Sequence, residues 1–224
     1  MARAALYLLG ALMLALVGFA GYEAWRVLDA RARTPALIQI ALNDADPEIA
    51  TVPSAWTDAL IAVEDPSFYR NDGLDFKSPG QGTTTLTQGL AKRLYYKRFT
   101  PGLLHLGKLD LMLVSKYALA ARASKDKILL ATLAAAYLGN DKEGPVIGFA
   151  EGARRWYGRE LSDLDFDSWL GLVAMMIAPN DLDPMRHGEA NVERVLRIKR
   201  LLTKECRPNG HLDVALDACA RIAG

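Results

Sequence analysis

The feature that most restricts this chain is a long run near its amino terminus, Ala4 to Tyr22, which contains no charged side chain. As a helix it would be about 28 Å long, which is close to the hydrocarbon thickness of a bilayer. A cleaved signal peptide is the alternative, but its apolar region usually has only about 7 to 15 residues. Glu23 is the first charge after the run, and Tyr22 and Trp25 suit an aromatic belt at the membrane edge. We therefore predict an uncleaved transmembrane anchor.

The remaining chain is long enough for one domain with a core that needs no metal or disulfide. The sequence has 224 residues and a net charge of +1. A nucleic-acid-binding domain usually carries a strong basic charge, so we expect no nucleic-acid partner.

Helical periodicity dominates beyond the anchor, and little of the alternation typical of strands is present. The fold class predicted from this pattern is mainly α. The predicted helices include one that delivers Glu64 and others at Thr84 to Tyr96, Leu103 to Ala123, Ile128 to Leu138, Phe149 to Trp156, Phe166 to Ile177, Asn191 to Lys204 and Leu212 to Ile222.

Side chains suited to chemistry concentrate between residues 63 and 93. The stretch VEDPSFYRNDGLD places Glu64 and Asp65 at the end of an apolar helix, where a carboxyl can have a raised pKa and act as acid or base. The stretch GTTTLTQGLAKR places hydroxyls and an amide ahead of Lys92 and Arg93, which suits a phosphorylated substrate. The purely structural alternative is that these stretches form a helix end, a turn and an amphipathic helix with solvated charges.

These stretches resemble, in order, the first two motifs of the peptidoglycan glycosyltransferases. EDPSFYRNDGLD is similar to E-D-x-x-F-x-x-H-x-G-x-D, and GTTTLTQGLAKR is similar to G-x-S-T-x-T-Q-Q-x-x-K-N. The later stretches SKDKIL, AYLG and RRWYGRELSDL resemble further parts of that family. The resemblance implies a lysozyme-like fold of two helical lobes around a cleft, behind one N-terminal transmembrane helix.

The resemblance also implies how the chain is organised and where it is located. We predict a transmembrane anchor at residues 1–25, a membrane-proximal connector at 26–53, a glycosyltransferase-like domain at 54–205 and a C-terminal tail at 206–224. The expected location is the bacterial inner membrane, with a single span and the domain on the periplasmic side.

The family joins a lipid-linked disaccharide-pentapeptide (lipid II) to a growing glycan chain, and Glu64 matches its catalytic base. Asp65 has a structural alternative, which is to orient local backbone or pair with a cation, and Thr85 has helix capping as its alternative. Phe68 is expected to form a low-dielectric wall beside Glu64. The positions that match substrate contacts are Asp65, Phe68, Thr84, Thr85, Gln88, Lys92, Arg93 and Lys108.

The sequence departs from the family pattern within and between its first two motifs. Asn71 replaces the motif histidine, and Gly89 replaces the second glutamine. The connection Asp75 to Gly82 is shorter than in the family, which should remove part of one cleft wall.

A further departure concerns metal binding. Met112 stands where the family has a second glutamate. The resemblance implies that this glutamate helps to hold the pyrophosphate and its divalent metal. Asp110 lies two residues earlier, about 200° around a helix, so it cannot replace that carboxylate in this register. We therefore assign no metal ligand and no certain cofactor. A divalent metal stays possible but is doubtful, and cations such as Lys108 are expected to neutralise phosphate instead.

Three functions remain open from the sequence. The predicted one is an active peptidoglycan glycosyltransferase, because Glu64 and most of the second motif are intact. The alternatives are a noncatalytic relative that binds lipid-linked precursor or cell-wall enzymes, and a lysozyme-like hydrolase. The predicted partners are lipid II, the growing glycan chain, the lipid bilayer and other cell-wall synthesis proteins.

The two cysteines, Cys206 and Cys219, both lie in the predicted tail. If the domain faces outward they meet an oxidising compartment, and we predict a disulfide between them. Two unpaired small side chains in a frayed terminus are the alternative.

Overall fold

The computed structural model describes residues 2–102 and 106–220. Over these ranges the chain is mainly helical, which confirms the predicted fold class. The elements are α1 (Ala2–Asn43), α2 (Ser54–Glu64), α3 (Leu86–Tyr95), α4 (Leu106–Val114), α5 (Lys125–Ala135), β1 (Tyr137–Asp141), β2 (Gly144–Ile147), α6 (Phe149–Gly152), α7 (Phe166–Met175) and α8 (Gly188–Leu202).

Helix α1 runs without interruption through 42 residues, so most of the predicted connector is helical and continuous with the anchor. Its amino-terminal half is exposed, and α1 is long and apolar enough to cross a membrane. The other half packs against the domain, where Ala30 and Thr34 are fully buried. The Thr34 hydroxyl lies 2.7 Å from the hydroxyl of Tyr95 in α3, which joins the anchor helix to the motif-bearing helix.

The centre of the domain is formed by α5 and α7. Ile128 and Leu133 of α5 are fully buried. The ring of Trp169 in α7 packs between those of Trp56 and Phe149, with centroid distances of 5.5 and 4.7 Å. These contacts fix α2, and therefore Glu64 at its end, against the core.

The prediction that α5 extends to Leu138 is wrong, because the helix ends at Ala135 and an antiparallel hairpin of β1 and β2 follows. Gly139 has a φ of +93°, and a Cβ there would lie 2.7 Å from the carbonyl oxygen of Pro179. The backbone therefore turns here to pass close to another segment, which local periodicity does not encode.

The helix predicted from Leu103 to Ala123 begins outside the described residues, and its described part starts at Leu106. After α4 it continues as a π-helical segment, Ser115–Ala120. The helix predicted from Leu212 to Ile222 is wrong over its described part, which forms turns and a short 3₁₀ segment, Asp217–Cys219. The Asp213 carboxylate accepts hydrogen bonds from backbone N–H groups on both sides of it and so stabilises a turn instead.

Helix α8 has a different inward face from the one its apolar residues suggest. Val192 and Leu196 are apolar but 59% and 45% exposed. Asn191 and Arg194 are buried in their place, because backbone carbonyls are available to them. The Asn191 amide donates to the carbonyl of Gly171 at 2.9 Å.

Candidate active site

A cavity of about 550 Å³ opens where the end of α2 meets the start of α3. Among the described residues of its wall, Glu64 is the one acidic side chain, and Lys92 and Arg93 are the basic ones. The other residues of the wall are Val63, Gly80, Gln81, Gly82, Thr83, Thr84, Thr85, Leu86, Gly89, Leu90, Thr132, Ala135, Ala136, Tyr137, Met176, Ile177, Pro179 and Val214.

Glu64 is the last residue of α2 and reaches the cavity from the domain core. Burial raises the pKa of its carboxyl to about 7, Arg194 of α8 acts against this rise, and Asp65 adds to it. Gln81 holds the surrounding backbone, since its amide donates to the carbonyls of Glu64 and Thr84 at 3.0 and 3.1 Å. The group is therefore poised to exchange a proton near neutral pH.

Asp65 is fully buried and is not part of the cavity wall, although it is the neighbour of Glu64. Its carboxylate accepts hydrogen bonds from the Leu86 backbone N–H at 3.1 Å and from the Asn71 amide at 2.7 Å. Burial raises its pKa to about 6, and these bonds and the charge of Lys125 oppose the rise. This geometry corresponds to the structural alternative, in which Asp65 orients the start of α3.

Phe68 is also fully buried and away from the cavity wall. The ammonium group of Lys125 lies 4.5 Å from its ring centroid and donates to the Asn71 side-chain oxygen at 2.9 Å. Asn71, at the position of the motif histidine, therefore links Asp65 to Lys125. No role was predicted for Lys125, and the only sequence signal for it is its place in the family-like stretch SKDKIL.

Thr85 and Gln88 form a capping box at the amino terminus of α3, as the structural alternative for Thr85 predicts. The Gln88 backbone N–H donates to the Thr85 hydroxyl at 3.1 Å, and the Gln88 side-chain oxygen accepts from the Thr85 backbone N–H at 2.9 Å. The Thr85 hydroxyl donates to the carbonyl of Gly73 at 2.8 Å. Gln88 is not part of the wall, whereas Thr84 and Thr85 are.

The cations of the cavity, Lys92 and Arg93, form no ion pair with an acidic residue of the described chain. Burial lowers the pKa of both, and the nearby charge of Lys108 lowers that of Lys92 further. Lys108 itself lies off the wall. Two cations that lack an anionic partner are therefore available to a negatively charged ligand.

Asp110 faces away from the cavity, as its helical position predicts. It accepts from Arg26 at 3.0 Å and from the Tyr96 hydroxyl at 2.7 Å, so it ties α4 to α1. Neither Asp110 nor Met112 belongs to the cavity wall. No group of three or more potential metal ligands gathers within the described ranges.

Sequence reasoning missed Arg194, which is 6% exposed and exerts an electrostatic effect on Glu64 from α8. Its helical phase was the available signal, because Arg194 shares a face with the buried residues Val195 and Ile198. Its amino group Nη2 donates to the carbonyl of Val214, a residue of the cavity wall, at 2.8 Å. Val214 lies in the tail, where Cys206 and Cys219 are joined by a disulfide with a Cα–Cα distance of 5.4 Å.

The chain is similar to several known proteins over much of its length. It is 33% identical to penicillin-binding protein 1B of Vibrio cholerae over 63% of this chain and 19% of that protein. It is 29% identical to penicillin-binding protein 1B of Escherichia coli over 68% of this chain and 19% of that protein. The chain thus spans about a fifth of the length of these two relatives.

A Cupriavidus necator protein named "Putative transglycosylase" is similar over nearly its whole length, with 28% identity over 92% of both chains. The family model described as Transglycosylase matches residues 36–204, which is most of the chain and includes Glu64, both cations and Arg194. This chain therefore belongs to the transglycosylase family.

Proposed function

We propose that the protein is a peptidoglycan glycosyltransferase that polymerises lipid II into glycan strands, with Glu64 as the general base. The observation that carries the proposal is the cavity itself. It combines one carboxyl whose pKa is about 7 with two cations that have no acidic partner in the described chain. A base is most effective when its pKa lies near the working pH, and a pyrophosphate leaving group needs positive charge.

In the proposed reaction Glu64 accepts the proton of a sugar 4-hydroxyl as that oxygen attacks the anomeric carbon of the growing chain. The new glycosidic bond forms while the bond from that carbon to the lipid pyrophosphate breaks. Lys92 and Arg93 stabilise the negative charge on the departing pyrophosphate. Asp65, Asn71 and the capping box act indirectly by holding the end of α2 against the start of α3.

The proposed setting is the bacterial inner membrane, with α1 as a single span and the domain on the periplasmic side. The length and apolar composition of α1 support the span, and its packing on the domain would hold the cavity close to the bilayer. Lipid II, the growing glycan chain, the bilayer and other cell-wall synthesis proteins are the proposed partners.

The test is polymerisation of lipid II by the purified full-length chain, with products separated by size. Glu64→Gln should reduce the rate about 100-fold or more, since this is the usual contribution of a general base. Glu189→Gln, at an exposed position on α8, is the control and should leave the rate unchanged. Polymerisation by Glu64→Gln at more than about a tenth of the wild-type rate would exclude Glu64 as the base.

A noncatalytic relative that binds lipid-linked precursor is the second candidate function. It is favoured by the absence of a second carboxylate from the described cavity wall, because Met112 replaces the family glutamate and Asp110 pairs with α1. Saturable binding of lipid II without any polymer, in wild type and Glu64→Gln alike, would support this function over catalysis.

A further inference from the structure

The C-terminal loop, residues 206–219, forms part of the cavity that contains Glu64. On one side it is bonded to the short connection before α3, where the Gly80 and Gly82 backbone N–H groups donate to the carbonyls of Gly210 and His211 at 2.9 and 2.8 Å. Val214 of the loop completes the wall. The loop therefore forms the part of the cavity wall that adjoins this connection.

On its other side the loop is held by three arginines spaced three residues apart on α8. Arg194 donates to the Val214 carbonyl at 2.8 Å, and Arg200 donates to the Cys219 carbonyl at 2.6 Å. Arg197 donates to the carbonyl of Ala215 at 3.3 Å and forms an ion pair with Asp217. Arg197 and Arg200 can be explained as supports for the loop.

Arg194 differs from the other two because much of its guanidinium group is buried without a partner. It is 6% exposed, and its Nε and Nη1 atoms have no hydrogen-bond partner within the described chain. A buried charge is costly unless an opposite charge lies nearby. Burial lowers the pKa of Arg194, and the largest opposing influence is the charge of Glu64, with smaller ones from Asp213 and Asp217.

We propose that Arg194 is a positioning residue for Glu64, and that the disulfide-closed C-terminal loop holds it in place as part of the active site. The inference rests on the proposed role of Glu64 as a base. A fixed cation favours the carboxylate form that a base requires, and it does so without occupying the cavity. The loop is then necessary for chemistry even though it lies far from the two motifs in sequence.

The charges that face Glu64 determine what a substitution should do. Arg194 lowers the pKa of the Glu64 carboxyl, Asp65 raises it, and Lys92 and Arg93 lie on the same cavity wall. Removing the Arg194 charge should therefore raise the midpoint at which Glu64 titrates. At neutral pH more of the enzyme would then carry a protonated Glu64, which cannot act as a base.

The experiment follows the Glu64 carboxyl by ¹³C NMR in full-length protein labelled at glutamate Cδ, with the signal assigned by its loss in Glu64→Gln. Arg194→Met should raise the midpoint by about one pH unit or more. Arg194→Lys keeps the positive charge, so its midpoint should lie close to that of wild type. Lys199→Met is the matched control, since it removes a cation from the same helix but contacts Asp167 of α7 instead of the loop and is not among the charges that shift Glu64. Its midpoint should equal that of wild type.

The double variant Cys206→Ser/Cys219→Ser frees the loop without changing Arg194 and should also raise the midpoint, which tests the inference even if Arg194→Met does not fold. In polymerisation assays the acid limb of the pH–rate profile should move by the same amount, with activity recovering at high pH. Unmoved midpoints in the folded variants overturn the inference. The titration can be measured without turnover. A wild type that makes no polymer would therefore refute the proposed function but not the effect of Arg194 on Glu64.

Discussion

The side-chain nitrogen of Asn71 lies 2.7 Å from Oδ1 of Asp65 and donates a hydrogen bond to it. The oxygen of the same amide accepts from Lys125 at 2.9 Å and from the Gly73 backbone N–H at 3.0 Å. Asn71 replaces the histidine of the family motif, yet it satisfies the buried carboxylate beside Glu64. The substitution therefore preserves support for the site.

We predict that Asn71→Ala lowers the free energy of unfolding by about 1–3 kcal/mol, because buried Asp65 loses a donor and Lys125 loses an acceptor. Asn71→His should lose less, since an imidazole N–H can still donate to Asp65. Urea unfolding of the three proteins measures the difference. Equal stabilities of Asn71→Ala and wild type would show that the network is unimportant for folding.

The second prediction concerns stability and pH at Glu64. Its carboxyl has an ordinary pKa of 4.5 and a folded-state pKa of about 7, so the folded protein binds the proton more tightly. Stability is therefore lost as pH rises through this interval, and Glu64→Gln removes the loss. The variant should match wild type below pH 4.5 and exceed it above pH 7 by about 1–2 kcal/mol, a reduced value because Glu64 is of intermediate exposure.

Urea unfolding of wild type and Glu64→Gln below pH 4.5 and above pH 7 tests whether the variant is the more stable protein at high pH. A variant that is less stable than wild type above pH 7 would show that the carboxylate makes favourable contacts in the folded state. Together with the loss of activity, the expected gain would identify Glu64 as a residue retained for function at a cost in stability.

Local patterns in the sequence predicted where the motif-bearing helix α3 begins. Thr85 and Gln88 show the capping-box spacing, so the start of α3 could be located from four consecutive residues. The end of α5 could not, since it depends on the close approach of Gly139 to Pro179. Arg194 shares a helix face with Val195 and Ile198, but a buried guanidinium there is satisfied only through the Val214 carbonyl, which the distant C-terminal loop supplies.

The third prediction tests the cations with a phosphoglycolipid inhibitor. Lys92→Ala should weaken its binding by about 1–3 kcal/mol, the usual loss for a charged hydrogen bond. Lys108→Ala should have a smaller effect, because Lys108 lies off the cavity wall and acts on Lys92 only through its charge. Lys127→Ala, at an exposed position on α5, is the control for calorimetric titration. Unchanged affinity in Lys92→Ala would show that this lysine does not bind the inhibitor's phosphate and has a structural role only.

The fourth prediction uses two glycines of the cavity wall as a matched pair. Gly82 has a φ of +67°, and a Cβ there would lie 2.4 Å from Cγ1 of Val214. Gly82→Ala should therefore destabilise the protein by about 1–3 kcal/mol through backbone strain and displacement of the loop. Gly89, inside α3, has open space around it, so Gly89→Ala should stabilise by about 0.5–1 kcal/mol. Thermal unfolding should give shifts of opposite sign, and shifts of the same sign would contradict this packing.

The last prediction concerns the disulfide between Cys206 and Cys219, which are 13 residues apart and close the C-terminal loop. Protein extracted from membranes without reductant and alkylated at free thiols should show neither cysteine modified by mass spectrometry. The Cys206→Ser/Cys219→Ser variant should lose about 3 kcal/mol of stability, the entropic contribution expected for a loop of this size. Disulfides persist in oxidising compartments, so a bonded pair would also support a domain outside the cytoplasm. Two alkylated cysteines would refute the bond and would count against the outward orientation of the domain. The loop would then be held at the cavity only by its hydrogen bonds to α8 and to the turn at Gly80 and Gly82.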